Sequence, residues 1–326
     1  MKVLVTGANG FLASHIVRNL LQNGYEVRAM LRVGASAPAL HGLNIEFFRG
    51  NITDSNEVMN AVEGCDYVIH AAADTSQHYR HVSEYFPTNV LATGYIINAV
   101  QKHNCKRLVF VSTANTFGSG THSAPGNENS PQSPLFSSSG YAVSKLMAQN
   151  LVVQNCWSEL LDAVVVNPSF MLGSLDYKPS SGKIFQMILG KKIVFYPPGG
   201  KNFVSVLSVS KAIVNALTMG KSGQAFLLTG VDCSYREFFS KVIQKAKQKS
   251  LLVPIPGFLL RLLGFLGSII QKIGVNTSLT TVNTAILCEK FSYSNKRAIE
   301  ALNLENTSID SLVDECLDWF KDRKSF

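Results

Sequence analysis

KVLVTGANGFLASHIVRNLL, residues 2–21, is the stretch that settles the architecture. KVLVT is apolar enough for a buried strand and too short for a helix. It runs straight into glycines at positions 7 and 10, and these into a segment with apolar residues at helical spacing. Gly7 permits a tight turn, Gly10 lets the backbone approach a diphosphate, and the helix N-terminus favours its charge. Ala13 is small enough for the helix to pack closely on the strand. A glycine triplet alone is weak evidence, because many turns carry glycines. The strand before it and the helix after it supply the context that dinucleotide binding requires.

Working outward, YEVRAMLR (25–32), IEFFR (45–49), YVIHAA (67–72), RLVFVST (107–113) and DAVVVNP (162–168) read as buried strands. Helical patterns separate most of them, at 11–21, at 54–62 with Asp54 as cap and Gly64 as terminator, at 85–103 and at 141–157. VGASAPALHGL leaves room only for a loop or a single turn, and residues 118–140 read as a surface loop. Alternation of this kind implies right-handed crossovers and an α/β fold, a doubly wound parallel sheet of Rossmann type. Past residue 168 the pattern becomes irregular. We expect a short helix in PSSGKIFQMILG, a hairpin-like excursion in KIVFYPPGGKNFVSV, and a seventh strand in QAFLLTG (224–230). Helices should follow at 235–249, 258–273, 295–302 and 308–321. Residues 1–168 then form a dinucleotide-binding domain, to which 203–230 return. Residues 169–326 mainly build a smaller, mostly helical substrate lobe.

The tip of the second strand reports which dinucleotide is used. A carboxylate there suits the ribose hydroxyls of NAD, whereas a cation suits the 2′-phosphate of NADP. This strand ends MLR, with Arg32 at its tip, Arg28 further back and no acid close behind. NADP(H) is the expected cofactor, with NAD(H) the alternative; a solvated surface arginine is the plain reading of the same residue.

Composition excludes several classes. Apolar residues make up 46% and charged residues 16%, which is not a disordered chain. The net charge of +8 is spread thinly apart from the tail KDRKSF, so an anionic cofactor explains it and no nucleic-acid partner is expected. The six cysteines show neither a C-x-x-C pair nor zinc-finger spacing, so reduced thiols are expected and no metal site. The first apolar stretch is too short for a secretory signal. GFLLRLLGFLGSII (257–270) is too short, and too marked by Arg261, to span a bilayer. No stable membrane insertion and a cytoplasmic location follow as expectations.

YAVSK places Tyr141 and Lys145 four residues apart, on one face of a helix. A phenol titrates near ~10, too high for acid–base work at neutral pH, and a neighbouring ammonium pulls that value down. The lysine can also hold a ribose. Alone, Y-x-x-x-K usually marks a solvated helix face; its place after the fifth strand of a glycine-turn sheet sets it apart. That strand ends with Ser112 and Thr113, whose hydroxyls can donate to a substrate oxygen as charge develops. Strand-end hydroxyls otherwise cap turns.

Together these elements resemble the extended short-chain dehydrogenase/reductase superfamily, of the NAD-dependent epimerase/dehydratase type, over nearly the whole chain. TGANGFLASHIV looks like its cofactor turn, GNITD its adenine-site motif, and VIHAAA its fourth-strand motif. NVLATGYIINAV, STANTFG, YAVSKLMAQ and VVVNPSFMLG are similar to the following helix, the hydroxyl motif, the catalytic helix and the segment flanking the nicotinamide. GYEVRAMLR and NPSFMLG look most like the dihydroflavonol reductase and hydroxysteroid dehydrogenase branch. The resemblance implies Thr113, Tyr141 and Lys145 as catalytic residues, Thr113 replacing the family's usual serine. It implies cofactor contacts from Thr6, Gly7, Asn9, Gly10, Phe11, Leu12, Arg32, Asn51, Ile52, Ala71, Ala72, Ala73, Tyr141, Lys145, Pro168 and Ser169. Three positions depart from the pattern: Asn51 and Ser208 stand where aspartates are usual, and Ala13 replaces the third glycine.

Three functions stay open at this point. One is an NADP(H)-dependent reductase of a carbonyl on a small, hydrophobic molecule, or a dehydrogenase of the matching alcohol. Another is a nucleotide-sugar epimerase or dehydratase with tightly bound NAD. The last is a non-catalytic cofactor-binding regulator, which has no reason to keep Thr113, Tyr141 and Lys145 together. Lys183, Lys201, Arg236 and Arg297 are the cations available for a second diphosphate, without forming a diagnostic cluster. The apolar run around 255–273 suits a pocket lining, a core helix or the face of a homodimer.

Overall fold

The computed structural model of the chain describes residues 1–321 apart from Gln77, Arg80 and Pro179, so Lys321 is all that is described of the tail KDRKSF. The strands of the first half are β1 (Lys2–Thr6), β2 (Glu26–Leu31), β3 (Glu46–Arg49), β4 (Tyr67–His70), β5 (Arg107–Val111) and β6 (Ala163–Pro168). Six more follow: β7 (Phe170–Leu172), β8 (Ile193–Tyr196), β9 (Gly200–Ser205), β10 (Ala225–Leu228), β11 (Val231–Ser234) and β12 (Leu251–Pro254). The main sheet has seven strands in the order β10-β6-β5-β4-β1-β2-β3, and every pair is parallel. Progression reverses between β1 and β4, which opens a crevice at their carboxyl ends, where open α/β sheets bind ligands.

The sheet is apolar on both faces because helices cover both. On one face Ile16, Val17 and Leu20 of helix Phe11–Gln22 pack with Val209 and Ile213 of helix Val206–Asn215 over β1. On the other, Val58, Ile96, Val100 and Val152 cover β4 and β5. Asp54 caps helix Ser55–Val62 by accepting from the Asn56 and Glu57 amides at 2.9 and 3.1 Å, and Gly64 ends it at φ +72°. The loop after β2 holds one short turn, Pro38–Leu40.

Two expectations need correction. The continuous helix at 85–103 is broken into Val82–Phe86, a π turn at Pro87–Leu91, and Ala92–Lys102. Pro87 has no amide to keep the α ladder in step, and the widened turn drives Asn89 inward, where it is 1% exposed. The stretch 192–206 is not a hairpin. β8 pairs in parallel with β12, while β9 pairs with β11 and β7. The intervening glycines lie flat against another segment, Gly199 and Gly200 donating to the Leu287 and Glu289 carbonyls at 3.1 and 2.9 Å, and this parts the two strands. The smaller lobe adds a helix that periodicity did not reveal, Thr281–Cys288, capped by Thr280.

Gly7 holds φ +64°, and a Cβ there would lie 2.8 Å from Ala72 Cα, backbone against backbone. At Gly24, φ is +76° but nothing lies within 4 Å. Gly24→Ala should therefore lose ~1 kcal/mol, the cost of the left-handed conformation alone, and Gly7→Ala about 2–4 kcal/mol, because the backbone just after β4 must also shift. Urea unfolding of both variants checks this, and equal losses would contradict it.

Candidate active site

A cleft of ≈ 1310 Å³ opens at the carboxyl ends of β1 and β4. Of the residues expected at a dinucleotide, Gly7, Asn9, Arg32, Asn51, Ile52, Ala72, Ala73 and Tyr141 line it. Gly10 is exposed at the open end of helix Phe11–Gln22, whose first amides have no side-chain cap and no acidic residue beside them. A Cβ on Gly10 would meet only the Gly7 carbonyl oxygen, at 3.1 Å. These uncapped amides and the open space before them fit a diphosphate. Phe11 is part-buried, its ring edge-on to His15.

The two arginines of β2 and its tip separate cleanly. Arg28 is consumed by structure, with bonds to Glu46, Ala61 and Glu63 at 2.8, 2.9 and 2.6 Å. Arg32 is exposed on the cleft wall, and among the described residues its guanidinium has no partner. Asn51 accepts from the Thr53 amide and hydroxyl at 3.0 and 2.9 Å, which leaves its amide NH₂ facing outward as a donor. The replacement of aspartate by asparagine thus preserves a polar turn without adding an anion near Arg32.

Thr6 and Leu12 do not face the cleft; both are buried beneath it. The Thr6 hydroxyl accepts from the Ala71 and Ala72 amides at 3.2 and 3.1 Å and meets His70 Nδ1 at 2.8 Å. His70 Nε2 in turn lies 3.2 Å from the Thr93 hydroxyl, which donates to the Asn89 carbonyl at 2.8 Å. Asn89 Nδ2 reaches Ser144 Oγ at 2.9 Å, on the helix that carries Tyr141. Burial lowers the His70 pKa to about 3, so the ring is neutral and relays hydrogen bonds without charge.

Helix Gly140–Trp157, capped by Ser139, presents Tyr141 to the cleft. Burial pushes the phenol up to about 12, and the nearby Thr113 side chain acts in the opposite direction. Lys145 is 2% exposed beneath the cleft. Its Nζ donates to the Val111 carbonyl at 2.7 Å and sits 4.3 Å above the Phe110 ring. Burial lowers its pKa to about 7. The expected depression of the phenol by this ammonium is therefore not what governs the protein's own residues: burial dominates both groups, and Lys145 turns toward the strand end.

Of the two hydroxyl residues at the end of β5, Thr113 lines open space and Ser112 does not. Thr113 lines a smaller cavity of ≈ 180 Å³ that also touches Pro168, Ser169 and Lys201. Ser112 Oγ is buried, with no partner among the described residues. A network that sequence spacing did not reveal fixes Thr113: Asn167 Nδ2 reaches its carbonyl at 3.1 Å and Gln149 Oε1 at 2.7 Å, and Thr116 Oγ1 lies 2.9 Å from the same carbonyl. Of the four cations considered for a second diphosphate, Lys183 and Lys201 line the cleft. Lys201 lies over the Phe170 and Phe291 rings at 5.0 and 5.9 Å, and burial lowers its pKa to about 8. Arg297 instead pairs with Glu128. Ser208 is buried and meets the Thr307 hydroxyl at 3.1 Å.

The seven-stranded parallel sheet, its glycine corner and the Tyr141–Lys145 helix define an extended short-chain dehydrogenase/reductase. More narrowly, the chain belongs to the NAD dependent epimerase/dehydratase family, whose model matches residues 3–228. It is 30% identical over 72% of its length to sterol demethylase protein B of Methylococcus capsulatus, covering 71% of that protein. It is 26% identical over 97% of its length to a putative dihydroflavonol 4-reductase of Synechocystis, covering 94% of it. Among solved structures, that of gox2253 superposes with a TM-score of 0.85 at 25% identity, covering 98% of each chain.

The Lys145 pKa makes a testable linkage. Its value is lowered from 10.5 to about 7 on folding, so below pH 7 the buried ammonium destabilises the fold in full. As pH rises from there toward 10.5, the folded protein releases this proton before the unfolded chain does, and the penalty fades. The stability difference between Lys145→Met and the unmutated protein should accordingly shift in the lysine's favour across that window. Losing the Val111 bond adds only a pH-independent offset. A difference that stays flat with pH in chemical denaturation would refute the assignment.

Proposed function

We propose that the protein is an NADP(H)-dependent oxidoreductase that interconverts a carbonyl group and its alcohol on a small hydrophobic molecule. The observation that carries this reading is the placement of Tyr141 on the cleft wall, with Thr113, just past the carboxyl end of β5, close enough to act on its phenol from the adjoining smaller cavity. A dinucleotide, when bound, supplies the hydride donor or acceptor and, in its oxidised form, a positive charge. The uncapped amides after Gly10 would hold its diphosphate, and Arg32 its 2′-phosphate. Lys145, close beneath, would hold the nicotinamide ribose.

Tyr141, pushed up to about 12 by burial, carries its proton at neutral pH and can donate it to an alkoxide forming in the cleft. Thr113 steadies the same oxygen. The site so arranged favours the reductive direction. Phe170, Ile286 and Leu287 give the cleft an apolar wall, and relatives named for sterol and dihydroflavonol chemistry support a hydrophobic substrate. With all six cysteines free, we place the protein in the cytoplasm. Lys183 and Lys201 on the cleft wall favour a second reading, in which a substrate diphosphate is bound and the hydride returns to the same molecule. Stoichiometric loss of NADPH absorbance with a test ketone separates the two.

Tyr141→Phe keeps the ring's volume and should leave cofactor affinity intact while lowering kcat ~10²–10⁴-fold, the usual worth of an acid–base group. Normal turnover by this variant on a confirmed substrate would refute the chemistry. Arg32→Ala should narrow the preference for NADPH over NADH by ~1–3 kcal/mol, the scale of a charge-assisted hydrogen bond. Fluorescence titration reads it, and equal affinities in the unmutated protein would remove the case for NADP(H).

A further inference from the structure

Helix Gly257–Lys272 is built inside out. The stripe it turns toward the protein carries Leu260, Gly264 and Gly267, the residues of this helix that are buried. A methyl group at Gly264 would collide with Thr284, and one at Gly267 with the Leu279 carbonyl, so helix Thr281–Cys288 and the loop before it press against bare backbone. The large side chains point the other way. Phe258, Leu262, Phe265, Ile269 and Ile273 recur at spacings of three and four along one outward stripe, exposed by 75, 51, 58, 45 and 75%. A core helix buries its large residues and a surface helix exposes polar ones; this helix does neither. The cleft is lined by its neighbours Ser278, Asn283, Ile286 and Leu287 rather than by the helix itself. The pocket-lining and core readings of the segment therefore both fall.

The strand pair β8–β12, which leads into this helix through Ile255 and Pro256, continues the pattern. Ile193 and Leu251 are register partners, exposed by 53 and 63%, and Phe195 by 55%. Just ahead of the two strands the chain places Lys191 and Lys192 before β8 and Lys247 and Lys249 before β12. The Leu251 amide donates to the Lys192 carbonyl at 2.9 Å, which brings the four lysines to the same end of the pair. All four are exposed, and none has an ion-pair partner among the described residues. Charge in this region is one-sided: residues 238–288 contain no Asp or Glu, and 177–231 contain none either.

We infer that this face seats the protein on an anionic lipid bilayer. The apolar stripe would enter the boundary between head groups and acyl chains, the helix lying in the plane of the surface, and the lysines would meet the lipid phosphates. No helix among the described residues is long and apolar enough to cross a membrane, so this is docking and not spanning. Charge selects the bilayer over a second copy of the chain, because a two-fold interface would set two unpaired lysine clusters against each other. The helix also borders the cleft, Gln271 Nε2 donating at 2.9 Å to the carbonyl of His78 on the cleft wall. A docked molecule thus holds its cleft mouth beside the lipid.

Flotation of the full chain with vesicles tests this without any turnover, so it stands or falls apart from the chemistry proposed above. Vesicles of phosphatidylcholine mixed with phosphatidylglycerol should carry the protein, and phosphatidylcholine alone should carry much less. The double variant Phe258→Ser/Phe265→Ser should lose binding by on the order of tenfold or more. Reversing Lys191, Lys192, Lys247 and Lys249 to Glu should lose about fivefold or more per residue on the anionic vesicles only. Unchanged melting temperatures show that both variants fold. The inference is overturned if the unmutated protein ignores anionic vesicles, or if both variants bind as it does. It is equally overturned if sedimentation shows a dimer that Phe258→Ser/Phe265→Ser dissolves and vesicles do not.

Discussion

The hydroxyl of Thr6 is where the parts of this molecule are tied together. It sits at the end of the central strand with no exposure, so each of its bonds must be made within the protein. It accepts from two successive amides of the segment after β4 and stands against His70, and the His70 ring passes the connection through Thr93 to the π turn and on to the helix of Tyr141. The directions agree along the row. With Thr6 donating to Nδ1, Nε2 carries the proton, Thr93 accepts it, and Thr93 donates onward. Every member is satisfied only in this order. The strand that leads into the glycine corner and the helix of Tyr141 are thereby held in one register.

Burial, more than pairing, sets the electrostatics around this row. His70, Tyr141, Lys145 and Lys201 are all displaced toward their neutral forms, and in each case loss of solvent is the largest cause. These buried groups add little fixed charge of their own. The polarity around them comes from what enters the site, and a hydroxyl pair and an aromatic-flanked lysine respond to that charge over short distances. Arg32, exposed at the far wall, is the counterexample, a permanent charge left free in solvent where a permanent anion can meet it.

What was legible in the sequence is what lies close together along it. Lys2–Thr6, the glycines and helix Phe11–Gln22 are contiguous, and Tyr141 and Lys145 are one helical turn apart, so periodicity alone places them. The support of Thr113 is another matter, because Asn167 lies 54 residues from the carbonyl it holds. The partnership of β8 with β12 likewise joins segments that no local pattern links. Helix Gly257–Lys272 failed for a different reason. It is apolar nearly all round, so a hydrophobic stripe cannot say which side faces inward; Gly264 and Gly267, three residues apart on one face, were the signal that does. At Pro87 the apolar spacing persisted through a change of helix type, which hydropathy does not register.

The order of the strands also bears on how the molecule comes into being. β1 leaves the ribosome before the other strands of this sheet, yet it ends in the sheet's interior, flanked by β2 and β4. One wall arrives within a couple of dozen residues; the other waits for His70, 64 positions after Thr6. Until then the nascent chain carries a strand with a bare edge, the kind of surface that recruits chaperones or pairs with the wrong neighbour. Parallel pairs joined by long crossovers are slow to close, since chain entropy is lost before contacts repay it. The corner that is made ahead of the rest of the sheet is therefore among the last parts of it to become a working surface, and its maturation is timed by the strands that follow.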